Sequence, residues 1–175
     1  MKIDDMQFGI IAGNGATDAI FIVRKLQEKY LAKKKDLSMA FVDLEKAFDR
    51  VPHEVLWWAL RYLKVDEWII SVIRSMYEDA TSVKLSGGVS KGFNVKVGVH
   101  QGSVLSPLLF IIVLEALSKN FKVGLPMELF YADDLVLLAG TKEELVQKIN
   151  NWKAGMEEKG LQVNMGKTKV MRSRN

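Results

Sequence analysis

The stretch Leu129-Phe130-Tyr131-Ala132-Asp133-Asp134-Leu135-Val136-Leu137-Leu138 sets two adjacent carboxylates between two apolar runs. Each run is short enough to be a buried strand, and the acids fall where a tight turn would join them. Neighbouring negative charges in a packed setting are unfavourable unless something positive holds them. A hard divalent cation such as magnesium suits this role, because it prefers oxygen ligands and keeps positions open for phosphates. A second apolar run, Leu37 to Leu44, also ends in acids, Asp43 among them. Asp43, Asp133 and Asp134 could therefore share a magnesium site. Two ions held about 3.5–4 Å apart assist an in-line displacement at phosphorus. By themselves, an acidic strand end and an acidic turn also fit ordinary turn chemistry.

Such a site needs elements that bring the segments together. Thr17-Asp18 is placed to cap a helix running to about Lys33, with Ala19, Val23, Leu26 and Tyr30 on one face. Leu37 to Leu44 is read as a buried strand. Pro52 suits a first helical position, with Val55 to Leu63 continuing that helix. Asp66 starts another helix through Ile69, Ile70, Ile73 and Met76. Thr81 to Leu85 and Phe93 to Val97 are read as strands of a hairpin around Gly87-Gly88. Ser106-Pro107 opens a helix to about Asn120. Thr141 with Glu144 forms a capping box, and that helix ends near Gly160. Leu161 to Val163 and Thr168 to Met171 are short strand candidates. From Leu37 onward this order suits a ferredoxin-like α+β layer, with the small hairpin and its helices inserted. In that topology Asp43 approaches the turn bearing Asp133 and Asp134.

Composition narrows the classes. A chain of 175 residues, 49% hydrophobic and 26% charged, is sized for one domain with a proper core. The formal charge of +4 is compatible with a polyanionic partner. It is unevenly spread: six basic residues and one acid, Glu28, lie between Arg24 and Lys35, and four basic residues and no acid between Leu161 and Asn175. Each cluster reads either as a solvated surface or as a nucleic-acid contact. The absence of cysteine excludes disulfides, thiolate zinc sites and a cysteine nucleophile. No secretory signal is visible in Met1 to Gln7, and Val104 to Leu117, with Pro107 and Glu115, is too short to span a bilayer. The expectation is an intracellular protein of nucleus or cytoplasm, with no membrane partner.

Four segments then carry a resemblance. Ala40-Phe41-Val42-Asp43-Leu44-Glu45-Lys46-Ala47-Phe48-Asp49 resembles the first catalytic motif of reverse transcriptases. Gln101-Gly102-Ser103-Val104-Leu105-Ser106-Pro107-Leu108-Leu109-Phe110 resembles the second, and Tyr131-Ala132-Asp133-Asp134 the aspartate-pair signature. Gly160-Leu161-Gln162-Val163-Asn164, with Lys167-Thr168, resembles the fourth. Order and spacing agree across about residues 7 to 172, and the wording is nearest to the non-LTR retrotransposon branch, the jockey-like and related elements.

The resemblance implies an α+β chain with a ferredoxin-like polymerase palm over residues 37–172, a fingers-side remnant and helix over 1–36, and the thumb absent. It implies RNA-directed DNA synthesis on an RNA template, extending a DNA primer with deoxynucleoside triphosphates and using two Mg2+ ions, with Mn2+ as a substitute. Asp43 and Asp133 would ligate both ions, and Asp134 would complete the cluster. Phe48 matches the family's steric gate, which crowds a ribose 2′-hydroxyl; the other reading is a core aromatic. Lys46 and Ala47 would offer backbone N–H groups to the triphosphate. Gln101 matches a residue that contacts the incoming nucleotide near its sugar, and Gly102 lets the backbone approach closely. Tyr131 would sit beneath the primer end, or serve as a core tyrosine. Lys167 matches a lysine that protonates or neutralises departing pyrophosphate, or is a plain surface lysine.

Other patterns fail on spacing. Gly13-Asn14-Gly15 lacks the third glycine of a dinucleotide fingerprint, since position 18 is Asp18. Gly166-Lys167-Thr168 lacks the upstream glycine of a phosphate loop, since that position is Leu161. His53 and His100 have no partner at metal-ligand spacing. Two rival readings remain: a catalytically silent, truncated retroelement-derived domain that binds nucleic acid, and a structural interaction domain whose acids decorate turns.

Overall fold

A five-stranded sheet organises the chain, with the order β1-β5-β6-β2-β7. The computed structural model describes residues 7–8, 13, 15–78, 84–86, 88–121, 128–131 and 134–173. Its elements are β1 (Gln7–Phe8), α1 (Ala16–Ala32), β2 (Leu37–Val42), α2 (Ala47–Arg50), α3 (His53–Tyr62), α4 (Glu67–Ser75), β3 (Lys84–Leu85), β4 (Gly88–Val89), α5 (Leu105–Phe121), β5 (Glu128–Tyr131), β6 (Asp134–Ala139), α6 (Lys142–Glu158) and β7 (Lys169–Ser173). β1 runs parallel to β5, and every other neighbouring pair is antiparallel. Taken from β2, the order β2-α5-β5-β6-α6-β7 with β2 and β6 at the centre is a split βαββαβ layer.

Strand alternation decides what each face meets. Ala40 and Val42 of β2 and Leu135, Leu137 and Ala139 of β6 point to one side, where they join the main core with α3, α5 and α6. Helix α5 lies between α3 and α6, and Leu109, Phe110, Ile112, Val113, Ala116 and Leu117 are all buried. Each such large side chain contributes about 1.5–3 kcal/mol on leaving water. The other side of the sheet, Leu37, Met39 and Leu138, is covered by Val23, Leu26 and Tyr30 of α1. Ala19 and Val23 of the same helix also pack near Phe8 and Leu129. The apolar face expected for α1 is therefore the one it uses.

Caps follow local chemistry. Gly15 is the N-cap of α1, and its N–H donates to the Asp18 carboxylate at 2.9 Å. Thr141 accepts from the Glu144 N–H at 3.2 Å, while the Glu144 carboxylate accepts from Gly140. Pro107 falls in the first turn of α5, where its missing N–H costs nothing.

Several boundaries differ from expectation. β2 stops at Val42, and Leu44 makes only a single bridge, to Val163. Leu161 to Val163 is accordingly a crossing point and not a strand; β7 begins at Lys169. Pro52 is the N-cap of α3, not its first helical residue, with extended geometry and a bridge to Val97. Phe93 to Val97 forms no strand: the β3–β4 hairpin pairs Leu85 with Gly88, and Val97 serves α3 instead. The residues expected at 81–83 lie outside those described. β1 and the four-residue α2 were not anticipated; both are too short to show a period. Among the described residues no helix is long and apolar enough to cross a membrane.

Candidate active site

The four motif segments meet at one end of the sheet. The β2–β6 register pairs Val42 with Leu135 and Phe41 with Val136. Asp43 follows Val42 and Asp134 precedes Leu135, so the two acids lie just beyond the last pair of this ladder. Strand alternation puts Asp134 on the face of Val136. Asp43 is half-buried and Asp134, the first residue of β6, is exposed. Tyr131 pairs with Asp134 across the β5–β6 hairpin. Asp133 and the Tyr131 side chain lie outside the described residues. Among the described residues no group of three carboxylate or imidazole side chains converges on one point.

The fourth segment is bound directly to the first. The Asn164 N–H donates to the Asp43 carbonyl at 2.8 Å, and the Glu45 N–H to the Gln162 carbonyl at 2.8 Å. Asn164 also builds the turn that displays Lys167. Its Oδ1 accepts from the Lys167 N–H at 3.2 Å, and its carbonyl accepts from the Thr168 hydroxyl at 2.8 Å. Lys167 is exposed at the tip of that turn.

The chain turns sharply after Asp43. Lys46 holds a left-handed conformation, φ +47, and caps α2. Its carbonyl accepts from Asp49 and Arg50, so the amides of Lys46 and Ala47 sit at the end of a short helix, where helices leave amides without intrahelical partners. Ala47 is buried, whereas the Lys46 side chain is exposed. Phe48 is half-buried, stacked on Phe110 with ring centroids 4.7 Å apart. It is at once part of the core wall and partly presented outside it. Glu45 pairs with Arg50 at 3.2 Å.

The second segment docks on α2. The Val99 N–H donates to the Phe48 carbonyl at 2.8 Å and the Gly98 N–H to the Val51 carbonyl at 2.7 Å. Gln101 Nε2 then donates to Asp49 Oδ1 at 2.6 Å. Gly98 makes a close approach of its own. A Cβ on Gly98 would lie 3.1 Å from the Asp49 carbonyl oxygen, whereas one on Gly102 would meet nothing within 4 Å. Gly102 holds a left-handed turn, φ +81, with open space beside it. His53 and His100 are structural: His53 Nε2 bonds the Gly98 carbonyl at 2.9 Å, and His100 stacks on Tyr77 at 4.2 Å.

Sequence reasoning missed Asp49, Gly98 and Asn164. Two of them stood inside quoted segments, yet their partners lie 52 and 121 positions away, at Gln101 and Asp43 respectively.

On the sheet face that carries Asp134, between α1 and the strands, lies a cavity of about 510 Å³ lined by Val23, Arg24, Phe41, Leu129, Asp134 and Val136, among others. The fold and this meeting of four segments define a polymerase-type palm. The whole chain, residues 1–175, matches the family described as reverse transcriptase (RNA-dependent DNA polymerase), and it belongs to that family. It is 32% identical over 174 residues to the Pol polyprotein of the type-1 retrotransposable element R2 from Nasonia vitripennis, covering 92% of this chain and 17% of that protein. It is 31% identical over 142 residues to the RNA-directed DNA polymerase from the mobile element jockey of Drosophila funebris, covering 78% of this chain and 15% of the relative. The chain thus spans about a sixth of the length of those relatives. Among solved structures, telomerase from Candida tropicalis in complex with a fragment of telomeric RNA superimposes with a TM-score of 0.74 at 22% identity, over 96% of this chain and 30% of that one.

Proposed function

We propose that this chain is the catalytic palm of an RNA-directed DNA polymerase of the non-LTR retrotransposon type. It would join deoxynucleotides to a DNA primer on an RNA template. The observation that carries the reading is the convergence of the four segments at one end of the sheet, with Asp43 and Asp134 just beyond the last β2–β6 pair. Family membership and the relatives' names support the same activity.

Asp43, Asp133 and Asp134 offer hard oxygen donors, the ligand class magnesium takes, and would hold the divalent cations. When bound, such ions neutralise charge on the reacting phosphates. The remaining work falls to positioning and electrostatics. The primer 3′-oxygen attacks the α-phosphorus of the incoming deoxynucleoside triphosphate; one P–O bond forms, the bond to pyrophosphate breaks, and the hydroxyl proton passes to solvent water. Tyr131 belongs beneath the primer end. The amides of Lys46 and Ala47 face the triphosphate, Lys167 neutralises the leaving pyrophosphate, and Gln101 lies by the sugar. Phe48, braced by Phe110, is placed to crowd a 2′-hydroxyl and so to favour deoxynucleotides.

Primer extension on an RNA template, with Asp133→Asn as control, tests this reading. The expected result is extension by the wild-type chain that falls at least about a hundredfold in the variant, within the range that loss of transition-state charge stabilisation produces. Wild-type extension no greater than that of the variant contradicts it. Nucleic-acid binding without extension would support the silent-domain reading, which the exposed basic residues of α1 favour.

A further inference from the structure

We propose that Asp49 is a positioning residue that fixes which edge of the Gln101 amide faces the incoming nucleotide. The inference rests on the reading that Gln101 lies by the nucleotide's sugar. Gln101 Nε2 lies 2.6 Å from Asp49 Oδ1. An ionised carboxylate has no proton to donate, so only the amide NH2 can face it, and the Gln101 carbonyl oxygen must turn away.

The pair cannot easily drift apart. The segment bearing Gln101 is stitched to α2 through Val99 to Phe48 and Gly98 to Val51. Gly98, at φ +93, is the one residue type that lets this segment press against the Asp49 backbone. Arg50, the neighbouring cation on α2, is paired with Glu45. The consequence is chemical selectivity. The sugar of a deoxynucleoside triphosphate carries a single hydroxyl, the 3′-OH, and the exposed Gln101 carbonyl oxygen is an acceptor for it. A nucleotide lacking that hydroxyl leaves the oxygen unmatched. Phe48 sits one residue before Asp49 on the same helix. One short element would thus govern both sugar positions: Phe48 excludes a 2′-hydroxyl, and Asp49, through Gln101, selects for a 3′-hydroxyl.

Two measurements on the full chain test this. In the first, the Gln101 side-chain amide protons are followed by NMR in wild type and in Asp49→Ala. One proton should be shifted from the free-glutamine position and return to it in the variant. In the second, equilibrium binding of dTTP and of its 3′-deoxy analogue is measured in magnesium buffer. The wild type should prefer dTTP by about three- to tenfold, the worth of one hydrogen bond. Asp49→Asn, whose own amide can donate and let Gln101 flip, should bring that ratio close to one, and Asp49→Glu should restore it in part. An unshifted amide in wild type, or a ratio unchanged in Asp49→Asn, overturns the proposal. If Gln101→Ala binds dTTP as well as wild type, or wild type binds no nucleotide while the NMR signature is intact, the nucleotide-contact reading fails and the Asp49–Gln101 pair stands.

Discussion

At the scale of single residues, Phe48 offers a sharp test because two demands meet in one ring. Stacked on Phe110 and half-buried, its ring is braced, as the proposed crowding of a 2′-hydroxyl requires. Phe48→Val should raise ribonucleotide incorporation relative to deoxynucleotide by at least about tenfold, equivalent to 1.4 kcal/mol of lost discrimination. It should also lower stability by about 1–3 kcal/mol, at the low end for large-to-small substitutions because the ring is only partly buried. Competitive incorporation and urea unfolding read the two effects separately. The acids and Phe48 stand out in the sequence because their types are chemically distinctive. Asp49, Gly98 and Asn164 do not, because what matters at each is a partner far along the chain. Gly102 adds a backbone reason that its type alone did not specify, a left-handed turn at φ +81.

At the scale of elements, the link between α6 and the fourth motif depends on one glycine. Gly160 ends α6 at φ +85, and a Cβ there would come 2.8 Å from Pro52 Cγ at the start of α3. Gly160→Ala should therefore cost more than the about 1–2 kcal/mol of the left-handed backbone alone. Because Gln162 and Asn164 follow directly, any activity should fall with it; chemical denaturation and primer extension check the two effects. The α3–α4 corner is tied by Arg61 Nε and Glu67 Oε1 at 2.7 Å. The hydrogen bond from Arg61 holds the Glu67 carboxyl below its ordinary pKa. A carboxyl whose pKa is lowered by folding adds stability above its unfolded pKa, and that gain disappears as pH falls through the folded value. The Tm difference between wild type and Glu67→Gln should thus be positive, though small for so exposed a pair, at neutral pH, and vanish under strongly acidic conditions.

Long elements were legible in the sequence because their apolar patterning is extended, as in α1, α5 and α6; the expected cap holds for α6 at Thr141, whereas α1 is capped by Gly15 and not by Thr17-Asp18. Leu161 to Val163 misled because a buried segment that crosses β2's extension at one bridge has the same apolar character as a strand. Phe93 to Val97 misled similarly, since Val97 pairs with Pro52 and not with its own hairpin.

For the whole molecule, two basic clusters that are distant in sequence become neighbours. Gln27 of α1 donates to the Ser173 hydroxyl of β7 at 3.1 Å, and Arg172 pairs with Asp36 at 2.6 Å. Arg24, Lys25, Lys29 and Lys33 to Lys35 are exposed on α1 and the turn after it, and Lys167 and Lys169 are exposed on β7 and the turn before it. These exposed cations predict affinity for nucleic-acid backbone that is independent of sequence and weakened by salt. Replacing Lys33 and Lys34 by Gln should lower affinity for a primer–template duplex and reduce the log–log salt slope by up to about 2, at roughly 0.9 for each phosphate that is no longer neutralised. A fluorescence-anisotropy titration between low and moderate salt measures it; an unchanged slope removes these lysines from the nucleic-acid-binding surface. The topology at this scale was legible because alternating strand and helix signals leave few ways to build one layer.

In the proposed site, carboxylates from two distant segments would hold divalent cations at one end of the sheet. Manganese titration followed by electron paramagnetic resonance, in the presence of saturating deoxynucleoside triphosphate, tests it most directly. Saturable manganese binding to the wild-type chain should weaken at least about tenfold in Asp43→Asn and in Asp133→Asn alike, since each variant would remove an anionic ligand of the proposed shared centre. Binding that responds to Asp133→Asn but is indifferent to Asp43→Asn, or that is unaffected by either, would contradict the account.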